Sequence, residues 1–119
     1  MSKMFKDKTS FDERIAQSNN IKYKYPDKIP IIIERSKKDN KLMDLDKIKY
    51  LVPNNITVMD CIAILRRRLN LKTGESIYMF CSKHNILLAG SQSIEELYTK
   101  YKDEDGFLYI EYCCENTFG

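Results

Sequence analysis

Two hydrophobic periods alternate along the chain and predict a mixture of helices and strands. Residues 58–69 carry apolar side chains at i, i+3, i+4, i+7 and i+11, which predicts a helix with one buried stripe. Thr57, followed three residues later by Asp60, is typical of a capped helix start. The stripe consists of Val58, Cys61, Ile62, Leu65 and Leu69.

Short runs rich in β-branched and aromatic residues predict strands elsewhere. Pro30 has no backbone N–H to donate, so we expect the first of these strands to lie at a sheet edge or at a bulge. A polar stretch at 36–46 separates the first two strands and predicts an antiparallel hairpin with a long loop. The four runs are residues 28–35, 48–52, 77–81 and 107–113.

Serine residues three positions before a glutamate mark two further helix starts, at Ser10 and Ser93. They predict helices over residues 11–23 and 94–101, and a short helical turn at 4–8 precedes the first. The resulting order is helix, hairpin, helix, strand, short helix, strand. This is the order of the ubiquitin-like β-grasp with a helical extension at its N-terminus, so we expect an α+β fold.

Composition narrows the functional classes. The chain has 119 residues and a formal net charge of +3, with basic residues crowded into its first third and acidic residues into its last. A basic region of this kind tends to attract acidic peptides, anionic lipid or nucleic acid. No apolar stretch approaches 18 residues and the N-terminus lacks a signal-peptide core, so we expect a cytoplasmic protein.

The residues that carry catalytic or metal chemistry are sparse. Four cysteines have no zinc-like or redox spacing, and we expect all four to be reduced thiols. His84 is the single histidine and falls in a loop-like stretch, so a nucleophile with a partner base cannot be assembled. We therefore predict no catalytic residues, no metal site and no cofactor.

The C-terminus offers a different kind of chemistry. The chain ends at Gly119, directly after a strand-like run, and a terminal glycine can thread a narrow enzyme cleft that a Cβ atom would block. Modifier proteins need this property, because an enzyme must activate the terminal carboxylate and pass it to an amine. We divide the chain into a helical subdomain at 1–24, a β-grasp core at 25–115 and a flexible conjugation tail at 116–119.

Several sequence words, in order over nearly the whole chain, resemble the autophagy ubiquitin-like modifiers. That family includes the GABA-A receptor-associated protein and the microtubule-associated light chain three. The words are SFDER at 10–14, KYPDKIP at 24–30, LDKIKYLVP at 45–53, ILRRR at 64–68, DGFLYI at 105–110 and TFG at 117–119.

The resemblance implies a modifier conjugated through Gly119 to phosphatidylethanolamine on autophagic or other organelle membranes. Its partners would be activating and conjugating enzymes, a processing or delipidating cysteine protease, and receptors or adaptors that carry acidic aromatic-x-x-aliphatic motifs. The free form would be cytoplasmic and the conjugated form lipid-anchored.

The resemblance also implies a peptide site along the edge strand at 49–52, where a partner adds a strand to the sheet. One pocket would take the aromatic side chain, a second would take the aliphatic one, and basic residues would meet the acidic neighbours. The aromatic pocket would comprise Ile21, Pro30, Lys49, Leu51 and Phe107. The aliphatic pocket would comprise Tyr50, Val52, Pro53, Ile56, Cys61 and Ile64. The basic residues would be Lys28, Lys47, Lys49 and Arg68.

Some features depart from the family or allow other interpretations. Cys61 stands where relatives usually carry a large aromatic residue, so we expect a roomier aliphatic pocket. Arg66 and Arg67 are interpreted as a solvated helix end. An unconjugated peptide-binding adaptor of the same fold would keep the pockets but tolerate changes at Gly119. A tubulin-binding or RNA-binding basic domain is a further alternative, although no RNA-binding pattern of interleaved aromatics is present.

Overall fold

Five strands form one mixed sheet, which helices cover on both faces. The computed structural model describes residues 4–114. The strand order is β2-β1-β5-β3-β4, with β1 and β5 parallel and the other neighbouring pairs antiparallel. The elements are α1 (Phe5–Lys8), α2 (Phe11–Lys24), β1 (Lys28–Arg35), β2 (Lys49–Pro53), α3 (Val58–Arg68), β3 (Tyr78–Cys81), β4 (Ile86–Leu87), α4 (Ile94–Tyr101) and β5 (Leu108–Cys113).

The main core lies between the sheet and α3. The predicted stripe of α3 buries Val58, Cys61 and Leu65, and Ile94 and Leu97 of α4 join the same cluster. Burying one such apolar side chain stabilises a fold by about 1.5–3 kcal/mol. Alternate residues of the central strands complete the cluster, among them Ile29, Ile31, Ile33, Leu108, Ile110 and Tyr112.

The opposite face of the sheet carries a second, smaller cluster. Ile32 and Tyr109 point to this side and pack with Phe107 and with Phe5 of α1. The rings of Phe5 and Phe107 meet edge to face at 5.6 Å. Strand β1 is thus buried on both faces, which explains its continuous run of isoleucines.

Asp105 joins the N-terminal helices to the rest of the molecule. Its buried carboxylate accepts hydrogen bonds from Arg14 Nε at 2.8 Å, from the backbone N–H of Phe107 at 2.9 Å and from the hydroxyl of Tyr109. Ser18 of α2 donates to the carbonyl of the same residue. Gly106 follows with φ +93, and a Cβ atom there would clash with Ser18 Oγ. These contacts fix α2 against the turn that precedes β5.

Two of the sequence predictions are wrong, and one strand was missed. The first strand, β1, is not an edge strand, because it lies between β2 and β5. Pro30 is accommodated because pairing with β5 begins one residue later, at Ile31. Strand β4 was not predicted, since it has only two residues. Arg66 is more than a solvated helix end, because it donates to the carbonyls of Glu75 at 2.6 Å and Lys72 at 3.0 Å.

Candidate peptide-binding edge

Strand β2 forms one edge of the sheet. Within residues 4–114 it pairs with β1 alone, so its other side presents backbone groups that an added strand can use. The expectation of an edge at residues 49–52 is confirmed. Among the same residues, no helix is long and apolar enough to cross a membrane.

Side chains alternate along β2 between the core and the surface. Tyr50 and Val52 are buried in the main core, whereas Leu51 is 39% exposed and Pro53 is exposed as well. Because neighbouring residues of a strand point to opposite faces, Leu51 cannot serve the same cluster as Val52. An apolar side chain therefore stands at the surface beside an open strand edge.

A depression of about 360 Å³ lies between α2 and β2. Lys49 crosses it, donating from Nζ to Gln17 Oε1, and its Nζ also lies 5.6 Å from the centroid of the Phe5 ring. Two of its six lining side chains are apolar, and the other four are amides or lysines. Its lining residues are Gln17, Asn20, Ile21, Lys47, Lys49 and Leu51.

The predicted aromatic pocket is partly assembled in this depression. Ile21, Lys49 and Leu51 line it together, as expected from the sequence. Pro30 and Phe107 are buried instead: Pro30 is paired with Leu51 in the sheet, and Phe107 belongs to the cluster against which Ile21 packs. Pro30 and Phe107 therefore pack behind the residues that line the depression.

The residues predicted for the aliphatic pocket divide into a buried and a more accessible group. Tyr50, Val52 and Cys61 belong to the main core. Ile56 and Ile64 are half-buried against that core, and Pro53 is exposed. The accessible group therefore consists of Pro53, Ile56 and Ile64.

Cys61 is not a reactive thiol. Burial, helped by the neighbouring charge of Asp60, raises the pKa of Cys61 to about 12. Burial also raises the pKa of Cys81, to about 11. Because the thiolate is the nucleophilic form, neither residue is suited to covalent catalysis near neutral pH.

Positive charge gathers around Tyr50. Lys47 Nζ and Arg68 Cζ lie 5.3 Å and 5.5 Å from the centroid of its ring. Arg68 also forms an ion pair of 3.6 Å with the exposed Asp46. Lys28 lies at the other end of β2, paired with Pro53 in the sheet. The four predicted basic residues thus span the length of β2 rather than forming one cluster.

Two polar residues of the depression were missing from the sequence prediction. Gln17 and Asn20 lie in the predicted α2, and Gln17 precedes Ile21 by four residues, which places both on one helix face. That spacing was the available signal. Neither residue has the hydrophobic character by which the other pocket residues were found.

A larger cavity, of about 500 Å³, lies on the side of the sheet that carries α1. Glu34 and Glu111 are neighbours across β1 and β5, and Phe80 is the next residue in the same row. Lysines and further carboxylates surround this row, and no sequence pattern predicted the cavity. Its lining includes Lys6, Glu34, Phe80, Lys83, Tyr109 and Glu111.

The predicted conjugation residue, Gly119, lies outside the described residues. The last residue described is Cys114, directly after β5. Its backbone N–H donates to Asp39 Oδ1 at 3.1 Å. The structure therefore fixes the point from which residues 115–119 continue.

The fold and the open edge define a class: a ubiquitin-like domain with an N-terminal helical extension. The family model described as autophagy protein Atg8, ubiquitin-like, matches residues 13–119. The chain belongs to the Atg8 family of ubiquitin-like autophagy proteins. Membership makes it a ubiquitin-like modifier by family rather than a catalyst.

Individual relatives cover the whole length of the chain. Autophagy-related protein 8h of Arabidopsis thaliana is 45% identical over 117 residues, which are 98% of this chain and 96% of that protein. Autophagy-related protein 8 of Mycosarcoma maydis is 40% identical over 119 residues, 100% of this chain and 98% of that protein. The crystal structure of Trypanosoma brucei ATG8 superposes with a TM-score of 0.88 at 33% identity and covers 100% of both chains.

Proposed function

We propose that this protein is joined through the carboxyl group of Gly119 to phosphatidylethanolamine, and that the conjugate recruits proteins to autophagic or other organelle membranes. Family membership and the position of a glycine at the end of the matched region support the first half of this proposal. The open edge of β2, beside a depression lined in part by Ile21 and Leu51, supports the second half and is the observation that carries it.

The conjugation step needs no catalytic group from this chain. An activating enzyme would use ATP to convert the Gly119 carboxylate into a thioester on its own cysteine, and a conjugating enzyme would receive the acyl group by thioester exchange. The amine of the lipid then attacks the carbonyl carbon, an amide forms and the enzyme thiol leaves. Gly119 contributes the absence of a side chain, which lets its carbonyl enter a narrow cleft. A cysteine protease would process or reverse the product.

Recruitment would use strand addition at β2. An extended acidic peptide with an aromatic-x-x-aliphatic motif pairs its backbone with the free side of the strand. Its aromatic side chain enters the depression lined by Ile21 and Leu51. Its aliphatic side chain contacts the more accessible group, Pro53, Ile56 and Ile64. The free protein would be cytoplasmic, and its conjugate would be held on the membrane by the lipid alone.

Reconstitution tests the conjugation half. The chain is incubated with cognate activating and conjugating enzymes, ATP and phosphatidylethanolamine liposomes, and its mass is measured. We expect wild-type protein to gain the mass of one lipid, and Gly119→Ala to gain it at least tenfold more slowly, because an added Cβ obstructs the cleft. Leu51→Ala, altered at the peptide edge, is the matched control and should be lipidated at the wild-type rate.

The same assay distinguishes a conjugated modifier from an unconjugated adaptor. An unconjugated adaptor of the same fold would bind the peptide but gain no lipid under conditions in which a known family member is lipidated. Equal rates for wild type and Gly119→Ala would show that the terminal glycine is not the determinant of conjugation.

A further inference from the structure

The loop between β1 and β2 closes around the C-terminal end of β5. Ser36 donates from its backbone N–H to the carbonyl of Tyr112 at 2.8 Å, and the hydroxyl of Tyr112 donates to the carbonyl of Met43 at 2.6 Å. The backbone N–H of Cys114 donates to Asp39 Oδ1 at 3.1 Å. We call these contacts, made by Ser36, Asp39 and Met43 to Tyr112 and Cys114, the clasp.

Asp39 is the centre of the clasp. Its side chain is 1% exposed, and Oδ2 accepts from the backbone N–H of Leu42 at 2.9 Å and of Lys41 at 3.3 Å. Arg35 lies 3.7 Å from the same carboxylate. The buried side chain of Asp39 therefore links the loop to Cys114, at the start of the C-terminal segment.

The ionised form of Asp39 is favoured in spite of its burial. Burial alone would raise the pKa of Asp39, but hydrogen bonds from Leu42, from the thiol and N–H of Cys114, and from Lys41 outweigh it and lower the pKa. A charged acceptor makes stronger hydrogen bonds than a neutral one. The clasp is therefore complete at neutral pH.

The position of the clasp along the chain links it to conjugation. Five residues follow Cys114, ending with Gly119. A segment of that length reaches at most about 18 Å when extended. An enzyme that docks on the folded domain must receive Gly119 within that reach. A displacement of Cys114 therefore changes which positions Gly119 can occupy.

We propose that Asp39 is a positioning residue for conjugation: it fixes Cys114, the residue after which the segment that carries Gly119 begins. This inference rests on the proposed function. Holding Cys114 in place limits the positions that Gly119 can reach and raises the effective concentration of its carboxyl group at the enzyme's cysteine.

The test is a double-mutant cycle between the clasp and the length of the tail. One change is Asp39→Ala, and the other inserts two glycines between Cys114 and Glu115, which leaves the clasp intact. Single-turnover transfer to phosphatidylethanolamine is measured for all four proteins. We expect Asp39→Ala to slow transfer about threefold to tenfold with the natural tail, because small misplacements reduce effective concentration strongly. With the lengthened tail, the position of Cys114 has less influence on where Gly119 can reach. The same change should then slow transfer less than about twofold.

A merely structural role predicts a different pattern. Loss of stability would reduce transfer by the same factor with either tail, and that additive result would overturn the inference. Thermal unfolding and affinity for the motif peptide are measured in parallel, and the peptide affinity should be unchanged. Asp44→Ala, in the same loop and bonded to Arg35 at 2.9 Å, is the control for loop disturbance and should not show the dependence on tail length.

Two further arms complete the design. If Asp39→Ala does not fold, Asp39→Asn takes its place, because the amide keeps the volume and one acceptor oxygen; it should show a smaller slowing with the same dependence on tail length. A wild-type chain that gains no lipid would contradict the proposed function. A wild-type chain that is lipidated with an additive cycle would contradict only the role of Asp39.

Discussion

At the scale of the residue, Glu34 is an acid whose environment opposes its charge. It is 8% exposed and accepts a hydrogen bond from the backbone N–H of Phe5 at 2.7 Å. Burial raises the pKa of Glu34; the Phe5 hydrogen bond and Lys8 oppose this, while Glu111 and Asp7 reinforce it. The folded protein thus binds the Glu34 proton more tightly than the unfolded chain does. The contribution of this residue to stability falls as the pH rises from the unfolded pKa through the raised one.

We therefore expect Glu34→Gln to increase the free energy of unfolding at neutral pH. The amide oxygen can still accept from Phe5, while the cost of a buried charge disappears. The gain should shrink as the pH approaches 4.5, the ordinary pKa of the group, because wild-type Glu34 is then protonated in the folded state. Urea unfolding at both pH values measures this. Glu34→Ala, which leaves the Phe5 N–H without its acceptor, is the control and should be destabilising at neutral pH.

The pKa values of two other acids are shifted in the opposite direction. The pKa values of Asp39 and Asp103 are lowered, because hydrogen bonds outweigh burial, which alone would raise them. Their contributions are complete above the unfolded pKa and are lost as the pH falls through the lowered values. Lowering the pH should therefore weaken the clasp and the ion pair between Lys6 and Asp103. For Glu34, in contrast, protonation removes an unfavourable buried charge.

At the scale of the element, β2 carries in its centre an exposed leucine whose exposure has no structural reason within the domain. Leu51 is 39% exposed and lines the depression, while its neighbours in the strand are buried. We expect Leu51→Ala, combined with Lys49→Ala, to weaken an acidic aromatic-x-x-aliphatic peptide by more than tenfold. Truncation at the centre of an interface commonly costs about 2 kcal/mol, which corresponds to that factor.

Calorimetry with a synthetic peptide measures the affinity. Met59→Ala is a matched control, since Met59 is an exposed apolar residue on α3 and does not line the depression. Equal affinity of the double variant and wild type would place the binding site elsewhere on the surface.

The helices and strands could be predicted from the sequence wherever the hydrophobic pattern continues over many residues. The stripe of α3 and the paired β1 and β2 were found in this way. Strand β4 was missed because two residues carry no period, and its pairing comes from β3. Pro30 led to the wrong position for β1, because the pairing of β1 with β5 begins only at Ile31, one residue after the proline.

The site could be predicted less completely, for a physical reason. Alternation indicates that Leu51 and Val52 face opposite sides, but only the packing of α3 and α2 decides which side is core. Gln17 enters the depression because α2 lies over β2, and no local pattern contains that contact. The bond between Asp39 and Cys114 joins residues 75 positions apart. Long-range contacts of this kind leave no trace in periodicity.

At the scale of the whole molecule, the uneven distribution of charge is partly neutralised by the fold. Lys6 and Arg14 of the basic N-terminal region pair with Asp103 and Asp105 of the acidic C-terminal region at 2.7 Å and 2.8 Å. These pairs hold the helical extension on the sheet. Lys6 and Arg14 are therefore already paired within the molecule, whereas the cations that flank β2 lie where an acidic peptide would bind.

Those cations predict how salt should affect binding of an acidic peptide. Lys28, Lys47, Lys49 and Arg68 are distributed along β2, so they should accelerate encounter rather than hold the bound peptide. Exposed charges are screened within about 8 Å at physiological ionic strength, and each exposed pair contributes about 1 kcal/mol or less. We expect the association rate to fall severalfold as salt rises, with a nearly constant dissociation rate.

Stopped-flow measurements at low and high salt separate the two rates. Lys47→Gln combined with Arg68→Gln should reduce the dependence of the association rate on salt, because both residues flank Tyr50 on β2. Lys100→Gln, on α4, removes an exposed charge that does not flank β2 and should leave that dependence nearly unchanged. If salt acted through the dissociation rate instead, the cations would be part of the bound contact. An association rate that does not respond to salt would leave the depression and strand pairing as the whole basis of recognition.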